Sequence, residues 1–248
     1  PRDWVEQTFT DRRLHAALAT WGLHLDFAPD ISGGAIFPYL ESFAGQAMGM
    51  VIGKGGADTV TRSLVKLIES RGGQVRCEAE VSQIRVQAGQ VQGVTLTDGE
   101  SLAADRVIAN VAPKALMRLL GDHSGNARFD QGMKDFKHAP GTMMIHLALS
   151  DLPNWQAEAL RQFAYVHIGP SIDDLARTYQ QAMAGMLPDA PILVVGQPTV
   201  YDPSRAPEGK HTLWIQVRCL PAEIQGDAAG QIQATDWSSV KETYADRV

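Results

Sequence analysis

The spacing of apolar residues and the signals at segment ends predict four helices. Apolar side chains recur every three or four residues in the first two, which places them on one face of a helix. Asp58 occupies the N-cap position of the second helix, and Gly72-Gly73 end it. Ser171 and Asp174 form the S-x-x-D pattern of a capping box before the fourth. The predicted helices cover residues 11–21, 59–71, 113–120 and 171–183.

Alternating or continuous short apolar runs predict the strands. Apolar and polar side chains alternate along residues 211–220, so one face of that strand is apolar. Asp98-Gly99 is the strongest hairpin signal in the chain. The resulting order of elements predicts a mixed α/β or α+β fold with a β-meander of about three strands. The predicted strands cover residues 74–78, 81–87, 91–97, 101–104, 106–109, 141–150, 165–168, 191–197 and 211–220.

Two regions do not follow these periods. Residues 28–56 are rich in Gly, Ala, Met and aromatic side chains without a clean repeat, so they either thread a core or line an apolar cavity. Residues 240–248 have a helical pattern that reaches the last residue without a C-cap. The chain also begins at Pro1. Its ends fit either a complete protein with a trimmed tail or, as we favour, a piece of a longer one.

Composition narrows the class of protein. The 248 residues carry a formal net charge of −6, and no cluster of Lys or Arg suggests nucleic acid as a partner. Two cysteines, Cys77 and Cys219, are too few for a disulfide framework and are expected to act as small apolar residues. No run of about 18 apolar residues predicts a membrane span, and no signal peptide is visible.

The chain contains no self-contained catalytic motif. The sequence has no G-x-S-x-G, no G-x-G-x-x-G and no Walker spacing. Its histidines lack the spacing of a metal site, so we predict no bound metal. If the protein is an enzyme, a cofactor is therefore expected to carry the chemistry. The histidines are His15, His24, His123, His138, His146, His167 and His211.

Several segments, in this order and spacing, resemble phytoene desaturase-like FAD-dependent oxidoreductases, and in particular the phytoene dehydrogenase-related branch of that family. The central part of the chain resembles the inner flavin domain, and two later segments resemble the branch. The segments are 53–58 (GKGGAD), 71–73 (RGG), 78–84 (EAEVSQI), 91–100 (VQGVTLTDGE), 104–113 (ADRVIANVAP), 167–173 (HIGPSID) and 202–211 (DPSRAPEGKH).

This resemblance implies FAD as the cofactor of the full-length protein and a mixed-sheet substrate domain beside part of a two-dinucleotide-type FAD domain. The family's N-terminal G-x-G-x-x-G unit and C-terminal flavin-closing segment have no counterpart here, so we expect this piece to be inactive and to lack tightly bound FAD. The strand residue matching Val81 contacts FAD through its backbone in the family. The cofactor-binding residues implied by the resemblance are Val81, Gly55, Gly56, Asn110 and Pro113.

The resemblance also implies a small hydrophobic substrate, such as a polyene, an isoprenoid or a lipid, in an apolar cavity. It leaves the catalytic residues, the substrate, the reaction direction and the oligomeric state open. We expect a cytoplasmic protein, and peripheral membrane contact stays open. The candidates for lining the cavity are Phe37, Tyr39, Phe43, Met48, Met50, Met144, His146 and Trp214.

Four segments are expected from this comparison. An apolar substrate-side segment (1–53) precedes a partial FAD-binding domain (54–121), and a substrate-binding sheet domain (122–227) precedes the start of a returning helix (228–248). Two functions remain open. One is hydride transfer between a hydrophobic substrate and flavin, and the alternative is a binding or interaction module that keeps the fold without flavin. A self-contained hydrolase is a weaker third interpretation, because no nucleophile with a base is visible.

Overall fold

The computed structural model describes residues 1–121 and 124–248, so His123 lies outside the described residues. By its internal contacts the chain divides into two units. The first comprises residues 1–61 and 139–248, and the second comprises residues 62–138. The four segments expected from the sequence have other boundaries and stay a prediction.

The described residues begin with four α-helices, and strands and helices are interspersed along the rest of the chain. The α-helices are α1 (Arg2–Thr8), α2 (Arg12–Ala19), α3 (Ile36–Met48), α4 (Asp58–Ser70), α5 (Pro113–Leu119), α6 (Ala127–Lys134), α7 (Ile172–Met183) and α8 (Trp237–Ala245). The strands are β1 (Val81–Gln87), β2 (Gln90–Leu96), β3 (Ser101–Ala103), β4 (Gly141–Leu149), β5 (Tyr165–Ile168), β6 (Met186–Leu187), β7 (Ile192–Gly196), β8 (His211–Leu220) and β9 (Gly226–Asp227). Short 3₁₀ helices cover Thr20–Leu25, Glu158–Gln162, Pro198–Val200 and Pro203–Arg205.

The first unit is built on a four-stranded antiparallel sheet with the order β4-β8-β7-β5. Because side chains alternate along a strand, each strand contributes to both faces of this sheet. On β8, Leu213 and Val217 are buried in the core, whereas Trp214 between them turns to the other face. Strands β6 and β9 form a separate short parallel pair.

Two apolar clusters stabilise the first unit. One packs the sheet face containing Leu213 and Val217 against Val240 and Tyr244 of α8. The other joins Val5 and Leu23 near the start of the chain to residues of α7 and to β7 and β8. At Cys219 the backbone adopts a φ of 59°, and this buried residue joins the second cluster while its neighbour Leu220 joins the first. The expected apolar role of Cys219 therefore fits, whereas Cys77 is exposed.

A buried ion pair anchors the end of the chain. Arg247 donates two hydrogen bonds of 2.7 Å to the two carboxylate oxygens of Asp227, whose side chain is fully buried. Arg247 also donates to the carbonyl of Pro188, which accepts the hydroxyl of Tyr244 as well. These bonds hold the Asp227 pKa well below its usual range, chiefly through Arg247.

The second unit contains the predicted β-meander, the helices α5 and α6, and most of α4. Strands β1, β2 and β3 pair antiparallel in sequence order, and α5 packs against β1. Its small core contains Ile84, Leu96 and Met117. Gly93 is required within β2, because it has a φ of 119° and a Cβ there would lie 1.9 Å from the Leu102 carbonyl oxygen.

Most elements predicted from the sequence are present with ends shifted by a residue or two, including the Ser171 cap of α7. The predicted strands 74–78 and 106–109 are wrong. Among the described residues neither segment has a strand to pair with, and Glu78 takes a φ of 54°, which breaks an extended chain. The expectation of an uncapped helix reaching residue 248 is also wrong, since α8 ends at Ala245.

The aperiodic segment 28–56 contains a helix that the sequence pattern hid. Helix α3 carries Pro38 in its first turn, where the missing N–H is tolerated, and Gly45 in its second half. Pro38 is fully buried, whereas most of the large apolar side chains of this helix are exposed. The apolar period of a core-facing helix is therefore absent from it. Helices α1 and α6 were likewise not predicted.

We predict that Arg247→Met lowers the free energy of unfolding of the chain by about 3 kcal/mol or more, because it leaves the Asp227 carboxylate buried without its partner. Tyr244→Phe removes one neutral hydrogen bond and should cost about 1 kcal/mol. Urea denaturation followed by tryptophan fluorescence measures both. Adding Asp227→Asn to Arg247→Met should recover part of the loss, and an equal cost for Arg247→Met and Tyr244→Phe would contradict the assignment.

Candidate functional site

The first unit contains a cavity of about 840 Å³, a volume within the range of small-molecule sites. It lies on the sheet face opposite α8, between the sheet and two chain segments from the first 52 residues. Most of its wall is apolar or aromatic, with a few polar groups. The lining residues are Trp21, His24, Met50, Val51, Ile52, Phe163, Ala164, Tyr165, His167, Val194, Tyr201, Trp214, Gln216 and Arg218.

The alternation along β8 supplies one wall. Trp214, Gln216 and Arg218 occupy every second position and therefore share the cavity face. The Trp214 indole lies across Gly196 of β7, and a Cβ at residue 196 would lie 2.0 Å from the indole Cε2. The Tyr165 ring follows, with its centroid 5.4 Å from that of Trp214. A glycine opposite the indole thus lets an aromatic surface lie flat against the sheet.

A pair of histidines forms the polar part of the cavity. The Nε2 atoms of His24 and His167 are 3.0 Å apart, so one ring must donate its N–H and the other must accept it. The ring of Trp21 lies 5.3 Å from each imidazole, between centroids. The strand β5 and the 3₁₀ helix Thr20–Leu25 therefore bring together two titratable groups that are 143 residues apart in sequence.

Burial keeps both imidazoles neutral near pH 7. It lowers the pKa of His24, and the positive charge of Arg218 lowers it further. For His167, burial and then the neighbouring His24 and Arg218 lower the pKa to about 4. The hydrogen bond itself excludes only the doubly protonated pair, since two imidazolium rings have no acceptor between them. The lowered pKa of each ring is what leaves the whole pair uncharged near pH 7.

Arg218 supplies the positive charge of the cavity. Its guanidinium donates to the backbone carbonyl of Leu23, which fixes the side chain across the start of the chain. Among the described residues no carboxylate lies within 4 Å of its guanidinium nitrogens. Asp26 is the nearby acid, and burial raises the pKa of its carboxyl more than Arg218 lowers it.

A buried aspartate holds the loop that follows the Met50–Ile52 wall. Asp202 accepts hydrogen bonds from the Ser204 hydroxyl at 2.5 Å, the Gly55 amide at 2.6 Å and the Arg205 Nε at 3.0 Å. Arg205 also donates to the carbonyl of Gly53 at 2.5 Å. The Ser204 hydroxyl, the Gly55 amide and Arg205 together lower the Asp202 pKa to about 2. Asp202 and its partner Arg205 thus hold the two sides of the glycine-rich turn, at Gly55 and Gly53 respectively.

Two of the eight residues predicted to line the cavity do so, namely Met50 and Trp214. Met144 and His146 lie opposite Gln216 and Trp214 on the edge strand β4, and they are exposed outside the wall. The remaining four lie on α3, where Tyr39 packs against Phe43 and Trp4 instead of the cavity. Of the other two predicted residues on that helix, Phe37 is half-buried and Met48 is exposed.

The residues predicted to bind FAD lie in both units. In the first, the Gly55 amide is engaged by Asp202, and Gly56 has a φ of 122°. In the second, Asn110 is exposed and Pro113 opens α5. Their contact with a cofactor stays a prediction.

Val81 is the one of these positions that best fits the role implied by the family. It begins β1, which has β2 as its single strand neighbour among the described residues. The other edge of β1 therefore offers unpaired backbone groups, as a backbone contact to FAD needs.

In the described ranges, no three His, Cys, Asp or Glu side chains gather as a metal site.

Sequence reasoning missed His24, His167, Arg218 and Asp202. His167 begins the segment HIGPSID, whose Ser171 caps α7, and Asp202 begins DPSRAPEGKH. Both segments belong to those that resemble the family, and each begins with a polar side chain at the cavity or at the loop beside it. The place of His167 and Asp202 at the start of these segments could therefore have indicated both residues. Nothing in the local pattern, however, indicates that His24 and Arg218 join them.

The model of the flavin-containing amine oxidoreductase family matches residues 3–242, nearly the whole chain. The chain belongs to this family. Among the relatives of this amine oxidoreductase-family chain are phytoene and zeta-carotene desaturases and a 4,4'-diapolycopene oxygenase. The resemblance to phytoene desaturase-like flavoproteins is therefore confirmed.

Two relatives and one solved structure illustrate the match. The amine oxidoreductase-family chain is 28% identical over 244 residues to the phytoene desaturase (neurosporene-forming) of Cereibacter sphaeroides, covering 96% of the chain and 44% of the relative. It is 23% identical to pyridine nucleotide-disulfide oxidoreductase domain-containing protein 2 of Mus musculus, covering 98% and 44%. An oxidoreductase from Methanosarcina mazei shares the fold, with a TM-score of 0.60 at 17% identity, covering 98% and 49%.

The chain thus spans about 44% of the length of the curated relatives it matches. Its mixed α/β architecture with several sheets agrees with the expected class. Among the helices of the described residues, none has both the length and the apolar content needed to cross a bilayer.

We predict that the histidine pair makes stability depend on pH between about 6.5 and 4. In this window unfolded His167 takes up a proton that the folded state excludes, so the free energy of unfolding falls as the pH falls. His167→Gln should flatten this slope. The measurement is the urea midpoint at several pH values, with the exposed His146→Gln as control, and an unchanged slope in His167→Gln would contradict the assignment.

Proposed function

We propose that this chain is the substrate-binding part, with an inner portion of the flavin domain, of an FAD-dependent oxidoreductase that moves a hydride between a hydrophobic substrate and the flavin. The observation that carries this proposal is the cavity of about 840 Å³ in a chain of the flavin-containing amine oxidoreductase family. The names of the relatives, desaturases acting on phytoene and zeta-carotene, support a hydrophobic substrate. We further propose a cytoplasmic protein, with peripheral membrane contact as the alternative that stays open.

The residues of this chain bind and orient the substrate. Trp214 and Tyr165 present ring surfaces from the sheet. Residues 50–52 line the same cavity, and they come just before the glycine-rich turn whose Gly55 amide is bound by Asp202. Such surfaces bind an apolar chain by excluding water, which contributes about 25 cal/mol for each Å² of apolar surface buried. An extended substrate held between two fixed walls is also aligned, and alignment is the main protein contribution when a cofactor carries the chemistry.

When bound, FAD would accept or supply the hydride. The backbone edge at Val81 is the part of the second unit that would contact the cofactor under this proposal, as the family resemblance implies. The alternative is a binding module that keeps the cavity without flavin. Both functions use the same cavity, so flavin content separates them.

We expect the full-length protein to be yellow because it contains stoichiometric FAD. In the absence of oxygen, an added hydrophobic substrate should reduce this FAD or, in the opposite reaction direction, the reduced flavin should reduce the substrate. The 248-residue chain alone should be colourless. Visible absorption spectra of both preparations provide the measurement. A folded, colourless full-length protein that takes up no FAD would favour the binding module, and stoichiometric FAD on the 248-residue chain would refute the expected placement of the flavin site.

Trp214→Ala should weaken binding of an apolar substrate about tenfold or more, because it removes the largest aromatic surface from the sheet wall. The matched control is His146→Ala, which alters the residue opposite Trp214 on β4 but lies outside the cavity. Substrate titration of both full-length variants gives the two dissociation constants. Equal affinities would place the substrate elsewhere.

A further inference from the structure

The charge of the cavity is unbalanced for a purely hydrocarbon ligand. Arg218 keeps its positive charge at all physiological pH values, and its guanidinium reaches a wall that is otherwise mostly apolar. One of its terminal nitrogens is engaged by the Leu23 carbonyl, and this contact holds the group in place without neutralising it. A cation in such surroundings is stabilised by a counter-ion. Asp26 attracts Arg218 from beyond ion-pairing distance, and within the described ranges no carboxylate is in direct contact with the guanidinium.

The groups around Arg218 limit what that counter-ion can be. The hydrogen bond between His24 and His167 requires at least one neutral ring. The partial burial of both rings beside Arg218 keeps the other ring uncharged near pH 7 as well, so the pair adds no second positive charge. Gln216 precedes Arg218 on the same face of β8, and its amide can donate hydrogen bonds but carries no charge. One fixed cation with neutral neighbours suits a monoanion. A dianionic phosphate monoester would keep one negative charge uncompensated.

The remainder of the wall suits an apolar chain attached to that anion. Trp214 lies four residues before Arg218 on the cavity face, and Met50, Val51 and Phe163 also line it. The planar fork of an arginine matches the two oxygens of a carboxylate. The cavity thus combines a place for one carboxylate with an aromatic and aliphatic wall.

From this arrangement we infer that the cavity binds an apolar molecule bearing a carboxylate, with Arg218 binding the carboxylate and Trp214 contacting the apolar chain. This inference rests on the proposed function, since it assigns a substrate class to the same cavity. It differs from the hydrocarbon class that the relatives' names suggest, because a neutral polyene would leave the guanidinium of Arg218 without a carboxylate in direct contact. The His24–His167 pair positions this end of the cavity and keeps its charge at one.

The test compares two probes that differ only in charge. cis-Parinaric acid, a fluorescent polyene fatty acid, and its methyl ester are titrated into the full-length protein. The acid should bind at least about tenfold more tightly than the ester, the ratio expected for one charge-assisted hydrogen bond. Arg218→Gln should lower the affinity for the acid to that for the ester, so that the ratio of the two affinities falls to about one. Arg13→Gln, at a largely exposed side chain outside the cavity, should preserve the preference.

Equal binding of acid and ester to the unmodified protein would overturn the inference, and so would a full preference in Arg218→Gln. If Arg218→Gln loses both probes through misfolding, Arg218→Lys decides, because it keeps the charge and should retain a reduced preference for the acid. Loss of the preference for the acid in Arg218→Lys would also overturn the inference. Dodecyl phosphate displacing the probe more strongly than dodecanoate would replace the carboxylate assignment with a phosphate one.

The flavin measurement separates this inference from the proposed function. Flavin content and flavin reduction are recorded on the same preparations. A preference for the acid in a protein without flavin would refute only the oxidoreductase. Reduction of the flavin by a hydrophobic substrate, without a preference for the acid, would refute only the carboxylate site.

Discussion

Strand β8 pairs along both of its edges, with β4 on one side and β7 on the other. A slip of one residue would therefore break two ladders at once and exchange the two faces of the sheet. The present register directs Leu213 and Val217 into the core and Trp214 and Arg218 into the cavity. Core stability and ligand chemistry are thus set by the same alternation, and neither can change without the other.

The cavity places a permanent charge inside a largely apolar wall, which is costly unless the surroundings are arranged for it. Two features of the structure lower this cost. The Leu23 carbonyl holds the guanidinium of Arg218, and the half-buried imidazoles beside it stay uncharged near pH 7. The carboxylates that are buried in this unit, Asp202 and Asp227, are each fully engaged by their own arginine and by backbone amides. Their charges are used locally, so the charge of Arg218 remains available to the cavity.

Sequence patterns predicted the local structure better than the site. The meander, α4, α7 and β8 could be predicted because period and capping residues act within a few positions. Segment 106–109 has the composition of a buried strand, but strand formation depends on a partner, which no local pattern specifies. Helix α3 was hidden because most of its large apolar side chains are exposed and so follow no buried stripe. The family, by contrast, could be identified from the order and spacing of several loose motifs.

The cavity residues were harder to predict for a related reason. Trp214 and Met50 are apolar residues in segments that suggest a cavity, whereas His24 and Arg218 become a site through contacts across almost two hundred residues. The aromatic residues of α3 have the composition of a cavity wall, but they pack against one another and Trp4. Composition indicates that a cavity exists, and tertiary pairing determines which side chains face it.

The contact between Gly196 and the Trp214 indole has a consequence for the history of the family. Because a Cβ at residue 196 would lie 2.0 Å from the ring, the two positions cannot both be large. Residue 196 can therefore gain a side chain only after or together with the replacement of Trp214 by a smaller residue, so related chains with a larger residue at 196 should carry a smaller one at 214. The order of substitution is thus fixed, because the indole must be lost before the strand beneath it can gain a side chain.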